Sequence, residues 1–126
     1  MATLDDLRRW HDDDDHERIV VAIEAMSERD ATLVGLYARA LNNLGRYADA
    51  LRALEPLAAQ SDDDALWHFR VGYSLLGLGR DAEAARHFER AIALGDDDED
   101  TRELLRMAKQ RLPGEGNPSA NGRNRR

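Results

Sequence analysis

The sequence predicts an all-α fold of helical hairpins stacked in line, and three observations support that prediction. Residues 65–98, ALWHFRVGYSLLGLGRDAEAARHFERAIALGDDD, divide into an apolar-periodic segment, a break at Gly79-Arg80, and a second segment whose Ala84, Phe88, Ala91 and Ile92 share one helical face. A shift of 34 residues returns the same layout, with Gly45 for Gly79, Ala50 for Ala84, Leu54 for Phe88 and Asp62-Asp63-Asp64 for Asp96-Asp97-Asp98. No strand is apparent anywhere. Three antiparallel helix pairs are therefore expected over residues 3–30, 31–64 and 65–98, with a capping helix over 99–112.

The first pair is the least regular. Thr3 suits the N-cap of a helix whose Leu4, Leu7 and Trp10 point to one side, and His11-Asp12-Asp13-Asp14-Asp15-His16 interrupts it. Ile19, Val20, Ile23 and Met26 then give the buried face of a second helix, with residues 27–30 as its exit. In the repeat register Ile19 stands for Ala50 and Ala84, Ile23 for Leu54 and Phe88, and Met26 for Leu57 and Ala91. The unit is three residues shorter than the others and lacks their glycines, as a terminal repeat often does.

In the second pair Leu33, Leu36, Tyr37, Ala40, Leu41 and Leu44 form a wide apolar stripe, and Gly45 supplies the left-handed residue that ends a helix. The helix that follows is read through Ala50, Leu51, Leu54, Leu57 and Ala58. Pro56 lies inside it and should kink the helix near Ala53, at about 3 kcal/mol in an ideal context, or restart it at Pro56. The last helix presents Leu104, Leu105, Ala108 and Leu112 on one face, and its acidic start and basic end suit the helix dipole. Residues 113–126 have no periodic hydrophobe and are expected to be a disordered tail.

Composition narrows the function. No cysteine is present, so disulfides and thiolate metal sites are excluded and a cytoplasmic setting is the default expectation. Neither a membrane span nor a signal peptide is apparent. Residues 1–112 hold 24 acidic and 15 basic side chains, a balance of −9, which argues against nucleic acid as the partner. Arginine supplies 17 of the 18 basic residues; guanidinium forks suit carboxylates, although genome composition produces the same bias.

These residues resemble the tetratricopeptide repeat (TPR) family. The match covers residues 3–112 and is strongest in the third pair, where Ala84, Phe88 and Ala91 meet the small, aromatic, small pattern of the second helix. Trp67, Val71, Gly72 and Leu75 stand in or near the places of the first, with Trp67 one residue early; the proline that often closes a repeat is replaced by Asp62 and Asp96. The resemblance implies a TPR-like helical-hairpin solenoid that binds peptides or proteins in a concave groove lined by first helices. The groove positions are then Thr32, Gly35, Leu36, Arg39, Asn42 and Asn43 in the second pair, and Leu66, Phe69, Arg70, Tyr73, Leu76 and Gly77 in the third. Arg70 stands where a clamp arginine of chaperone-tail binders would, but Leu36 and Leu66 replace a clamp asparagine and lysine, which argues against that ligand.

Other chemistry fails on spacing. An EF-hand counted from Asp96 would place Thr101 at its glycine and Met107 at its glutamate, so the aspartate runs read as helix caps. No pair of the four histidines has ligand spacing, His68 reads as a packing residue, and Ser74 follows no nucleophile pattern. The expectation is a non-enzymatic interaction module with no cofactor and no metal. Its partner-binding residues are Arg39, Asn42, Asn43, Phe69, Arg70, Tyr73 and Leu76, with Arg39, Arg70 and Tyr73 at the centre and the arginines taken as exposed. The partner is a protein or peptide with an acidic residue beside an apolar one, neither nucleic acid nor membrane, and the chain is a monomer or weak homodimer. The Phe69-Tyr73-Leu76 stripe either lines the groove or is covered as core. The alternative function is self-assembly through Phe69 and Leu76.

Overall fold

A computed structural model describes residues 1–111. Among them the chain forms seven α-helices and no strand: α1 (Leu4–Asp12), α2 (His16–Glu24), α3 (Ala31–Asn43), α4 (Tyr47–Leu54), α5 (Ala65–Gly77), α6 (Asp81–Ala93) and α7 (Glu99–Gln110). Leu112 and the tail expected over residues 113–126 lie outside the described residues. Each helix packs on the one before and the one after it, and α3 also lies against α5, and α5 against α7. No described helix is long and apolar enough to cross a membrane.

One joint design recurs four times. After α3 the N–H of Arg46 reaches back to the carbonyl of Leu41 at 2.8 Å, and that of Gly45 to Asn42 at 3.0 Å. Arg80 and Gly79 close α5 on Leu75 and Leu76 in the same way, and Asp96 and Gly95 close α6 on Ala91 and Ile92. Each closure requires a left-handed residue, which glycine supplies at φ of 78°, 78° and 110°. The fourth joint was not legible: α1 ends with Asp15 on Trp10 and Asp14 on His11, and Asp14 itself takes φ 58°. The first pair lacks the glycines of the others, yet keeps their turn by means of one of the few side chains that tolerate this region.

The aspartates of these junctions cap the next helix, as expected. Asp15, Asp30, Asp64 and Asp98 each accept a backbone N–H of the following first turn. At the N-terminus Thr3 and Asp6 satisfy each other's backbone in a reciprocal pair, at 2.9 and 3.1 Å. Each such cap contributes about 1 kcal/mol.

Two helix ends differ from expectation. α2 stops at Glu24, so Met26 packs on the core from outside the helix. α4 stops at Leu54; Leu57 belongs instead to a tight turn at Glu55–Leu57, and Ala58 lies between it and a second tight turn at Ala59–Ser61. Pro56 is the cause, because it has no N–H to continue the ladder and fits only the first positions of a new turn. The carbonyl of Leu54 at the break is taken by the Trp67 indole N–H at 3.0 Å. Trp67 itself is nearly buried.

The core runs through every pair. Leu7, Ile19 and Ile23 fill the first, Leu41, Ala50 and Leu54 the second, and Val71, Leu75, Ala84 and Phe88 the third. Phe88 is fully buried against the backbone of α5, where a Cβ on Gly72 would stand 2.8 Å from its ring. Ala108 of α7 joins the same core. Thr101, buried, donates to the Asp96 carboxylate at 2.7 Å, and Lys109–Glu89 and Arg111–Asp81 pairs at 3.1 Å tie α7 to α6.

Candidate functional site

Because α3 and α5 lie side by side, residues one turn apart on each meet across a cleft. Arg39, Asn42 and Asn43 of α3 and Leu66, Phe69, Arg70 and Tyr73 of α5 line a single cavity of about 230 Å³. Six of the seven residues expected from sequence are thus brought together, and Leu66, with half its surface exposed, forms the lip. The seventh, Leu76, is 8% exposed and faces a separate cleft toward α7, which it shares with Tyr73. Of the other groove positions, Thr32 lies by a cavity at the N-terminal end, lined also by Met26 and Leu33.

The members of the cavity differ in what they are free to do. Asn42 is buried and spent: its Nδ2 donates to the Arg70 carbonyl at 3.3 Å and its Oδ1 accepts from Ser74 Oγ at 2.9 Å. It fastens α3 to α5. Ser74, fully buried, has its one hydroxyl proton shared between the Asn42 Oδ1 and the Arg70 carbonyl, at 2.9 and 3.1 Å. Asn43, one residue on, is exposed at the mouth. Phe69 is half-buried between Tyr73, at 6.1 Å, and the core ring of Phe88, at 6.0 Å. The stripe therefore divides: Leu76 is core, Phe69 bridges core and cavity, and Tyr73 stands in the wall.

The two arginines are not the exposed charges expected from sequence. Both are partly buried, the Nε of each is shielded from solvent with no hydrogen-bond partner, and neither makes an ion pair among the described residues. Burial, followed by the neighbouring Arg39 charge, lowers the Arg70 guanidinium from its ordinary value to about 10, against a weaker pull upward from Asp64. Burial lowers Arg39 also, with Asp12 opposing. The close approach depends on Gly35, one turn before Arg39, where any Cβ would collide with the Arg70 guanidinium. His11, at the end of α1, is held below its ordinary value by burial and then by Arg39 and His16.

A histidine pair lies outside the cavity, where the spacing of His68 and His87 gave no warning. Their Nδ1 atoms are 3.0 Å apart across the α5–α6 hairpin, and His68 Nε2 is 2.9 Å from the Asp62 carbonyl. The carbonyl can only accept, so His68 carries its proton on Nε2 and its Nδ1 accepts from His87. The signal was present in the hairpin register, which sets one turn of α5 against one turn of α6. Among the described residues no group of three or more His, Asp or Glu is placed to hold a metal ion. Compared with known proteins, the chain matches no family model and no curated sequence.

Proposed function

We propose that this chain is a TPR-like solenoid acting as a non-enzymatic interaction module, with its partner docked in the α3–α5 cleft. An acidic group of the partner sits on Arg39 and Arg70, and an adjacent apolar side chain lies on Leu66, Phe69 and Tyr73. One observation carries the reading: two adjacent guanidiniums are held partly buried with no anion among the described residues to balance them. A fold gains nothing from such a pair, since each charge loses hydration and repels the other. An anion from outside restores the balance. The recurring glycine joints and the contact of α3 with α5 support a solenoid of repeated hairpins. Protein or peptide is the partner in this reading, with no nucleic acid or membrane, and the setting is cytoplasmic.

Self-assembly through Phe69 and Leu76 has little to stand on, because Leu76 is buried and Phe69 half-buried. The test is selection from a random-peptide library on the immobilised wild type and on an Arg39→Gln, Tyr73→Ala variant, with circular dichroism to verify folding. Enriched peptides should pair an acidic residue with an apolar neighbour and lose binding to the variant. Enrichment without acidic residues, or equal binding to the variant, refutes the reading.

A further inference from the structure

We propose that the anionic group held between Arg39 and Arg70 is a phosphomonoester on an aromatic or aliphatic side chain of the partner, a phosphorylated protein segment. This rests on the reading that the cleft is where the partner docks. A carboxylate is satisfied by one guanidinium, whose fork gives it two parallel hydrogen bonds. Here two guanidiniums share one cavity, and a single carboxylate would leave the second buried and unbalanced. A phosphomonoester brings a charge of about −1.5 to −2 at neutral pH and three terminal oxygens, enough for both forks and the free amide of Asn43.

The surroundings agree with that count. Gly35 makes the space in which the Arg70 head lies against α3, so the pair is already assembled before any ligand arrives. The carboxylates that act on the pair do not take the ligand's place. Asp64 is engaged by the Leu66 and Trp67 N–H groups at 3.0 and 3.3 Å, and neither it nor Asp12 pairs with an arginine of the cavity. At about 230 Å³ the cavity is smaller than the roughly 300–1,000 Å³ of sites for drug-sized ligands. It suits one side chain bearing its phosphate, not a nucleotide or a cofactor. The ring of Tyr73 and the edge of Phe69 offer that side chain a wall.

The test is calorimetric titration of the full chain with phenyl phosphate, benzoate and inorganic phosphate at constant ionic strength. Phenyl phosphate should bind at least about tenfold more tightly than either of the others, since only it offers both the dianion and the ring. Benzoate binding as tightly overturns the phosphate inference and leaves the docking of an acidic residue intact. Inorganic phosphate binding as tightly overturns the side-chain anchor, and so the proposal; binding of none of the three overturns it as well. Arg39→Gln should weaken phenyl phosphate by about tenfold or more. If that variant fails to fold, Asn43→Asp changes only an exposed residue at the mouth, and unaltered affinity there refutes the assignment.

Discussion

Replacing Arg70 by methionine should make the protein more stable while abolishing binding of an anionic partner. The arginine keeps its charge at neutral pH in a place that disfavours it, and the lowering to about 10 corresponds to about 3 kcal/mol at 1.4 kcal/mol per tenfold. The sign follows from linkage. A cation whose folded value lies below its unfolded one is penalised at every pH below the folded value, so at pH 7 the whole penalty is present. Methionine fills the stem's path without charge but gives up the guanidinium contact over Gly35, and water at the cleft mouth screens part of the repulsion. A net gain of about 1–2 kcal/mol remains, or roughly 4–10 °C in the thermal midpoint of a domain this size. Calorimetric melting and urea titration of both proteins measure it. A lower midpoint in the variant would show that the guanidinium holds the fold together, and the case for an unbalanced site would fail. Combining Arg70→Met with Arg39→Met should gain less than the sum of the single changes, because each relieves the other.

Other perturbations probe the joints and the histidine pair. His87 is held below 6.5 by half-burial, the facing His68 and Arg86, so its stabilising contribution is complete above pH 6.5 and is lost as pH falls below that value. His87→Phe should cost about 1–3 kcal/mol at about pH 8 by orphaning His68 Nδ1, and urea melts should show the gap closing toward about pH 5. A gap independent of pH would contradict the downward shift of His87; the depressed His11 titrates equally in both proteins and cancels. Asp14→Gly should raise stability by about 0.5 kcal/mol, the relief of the left-handed backbone less the added chain entropy, whereas Gly79→Ala should lower it by about 1 kcal/mol. Chemical denaturation distinguishes the two signs. Trp67→Phe should cost about 1–2 kcal/mol by leaving the Leu54 carbonyl unsatisfied, and an unchanged midpoint would mean that water replaces the indole.

Features that repeat with the 34-residue period were legible in the sequence, because Gly45 and Gly79 answer the same backbone demand in the same register. Asp14 was not, since an aspartate in a left-handed turn and one in a solvated loop look alike in a run of four. Pro56 announced a break, but only the packed chain shows that Trp67 consumes the carbonyl set free. Register alone brought Arg39 and Arg70 to one cleft. The lie of the Arg70 head was hidden because the space it fills is left by the absent side chain at Gly35. Asn42 and Asn43 look equivalent as neighbours, yet the Arg70 carbonyl and Ser74 hydroxyl face the first and nothing among the described residues claims the second. The histidine pair escaped because its partners are 19 residues apart on separate helices.

The concentration of contacts between adjacent helices, with α3 on α5 and α5 on α7 beside them, also bears on how quickly the chain finds its shape. Most contacts close a short loop, so little chain entropy is lost before the first packing energy is recovered. Such local topologies fold in roughly microseconds to milliseconds. Stopped-flow refolding should be complete within the dead time of mixing, leaving little opportunity for half-formed chains to aggregate.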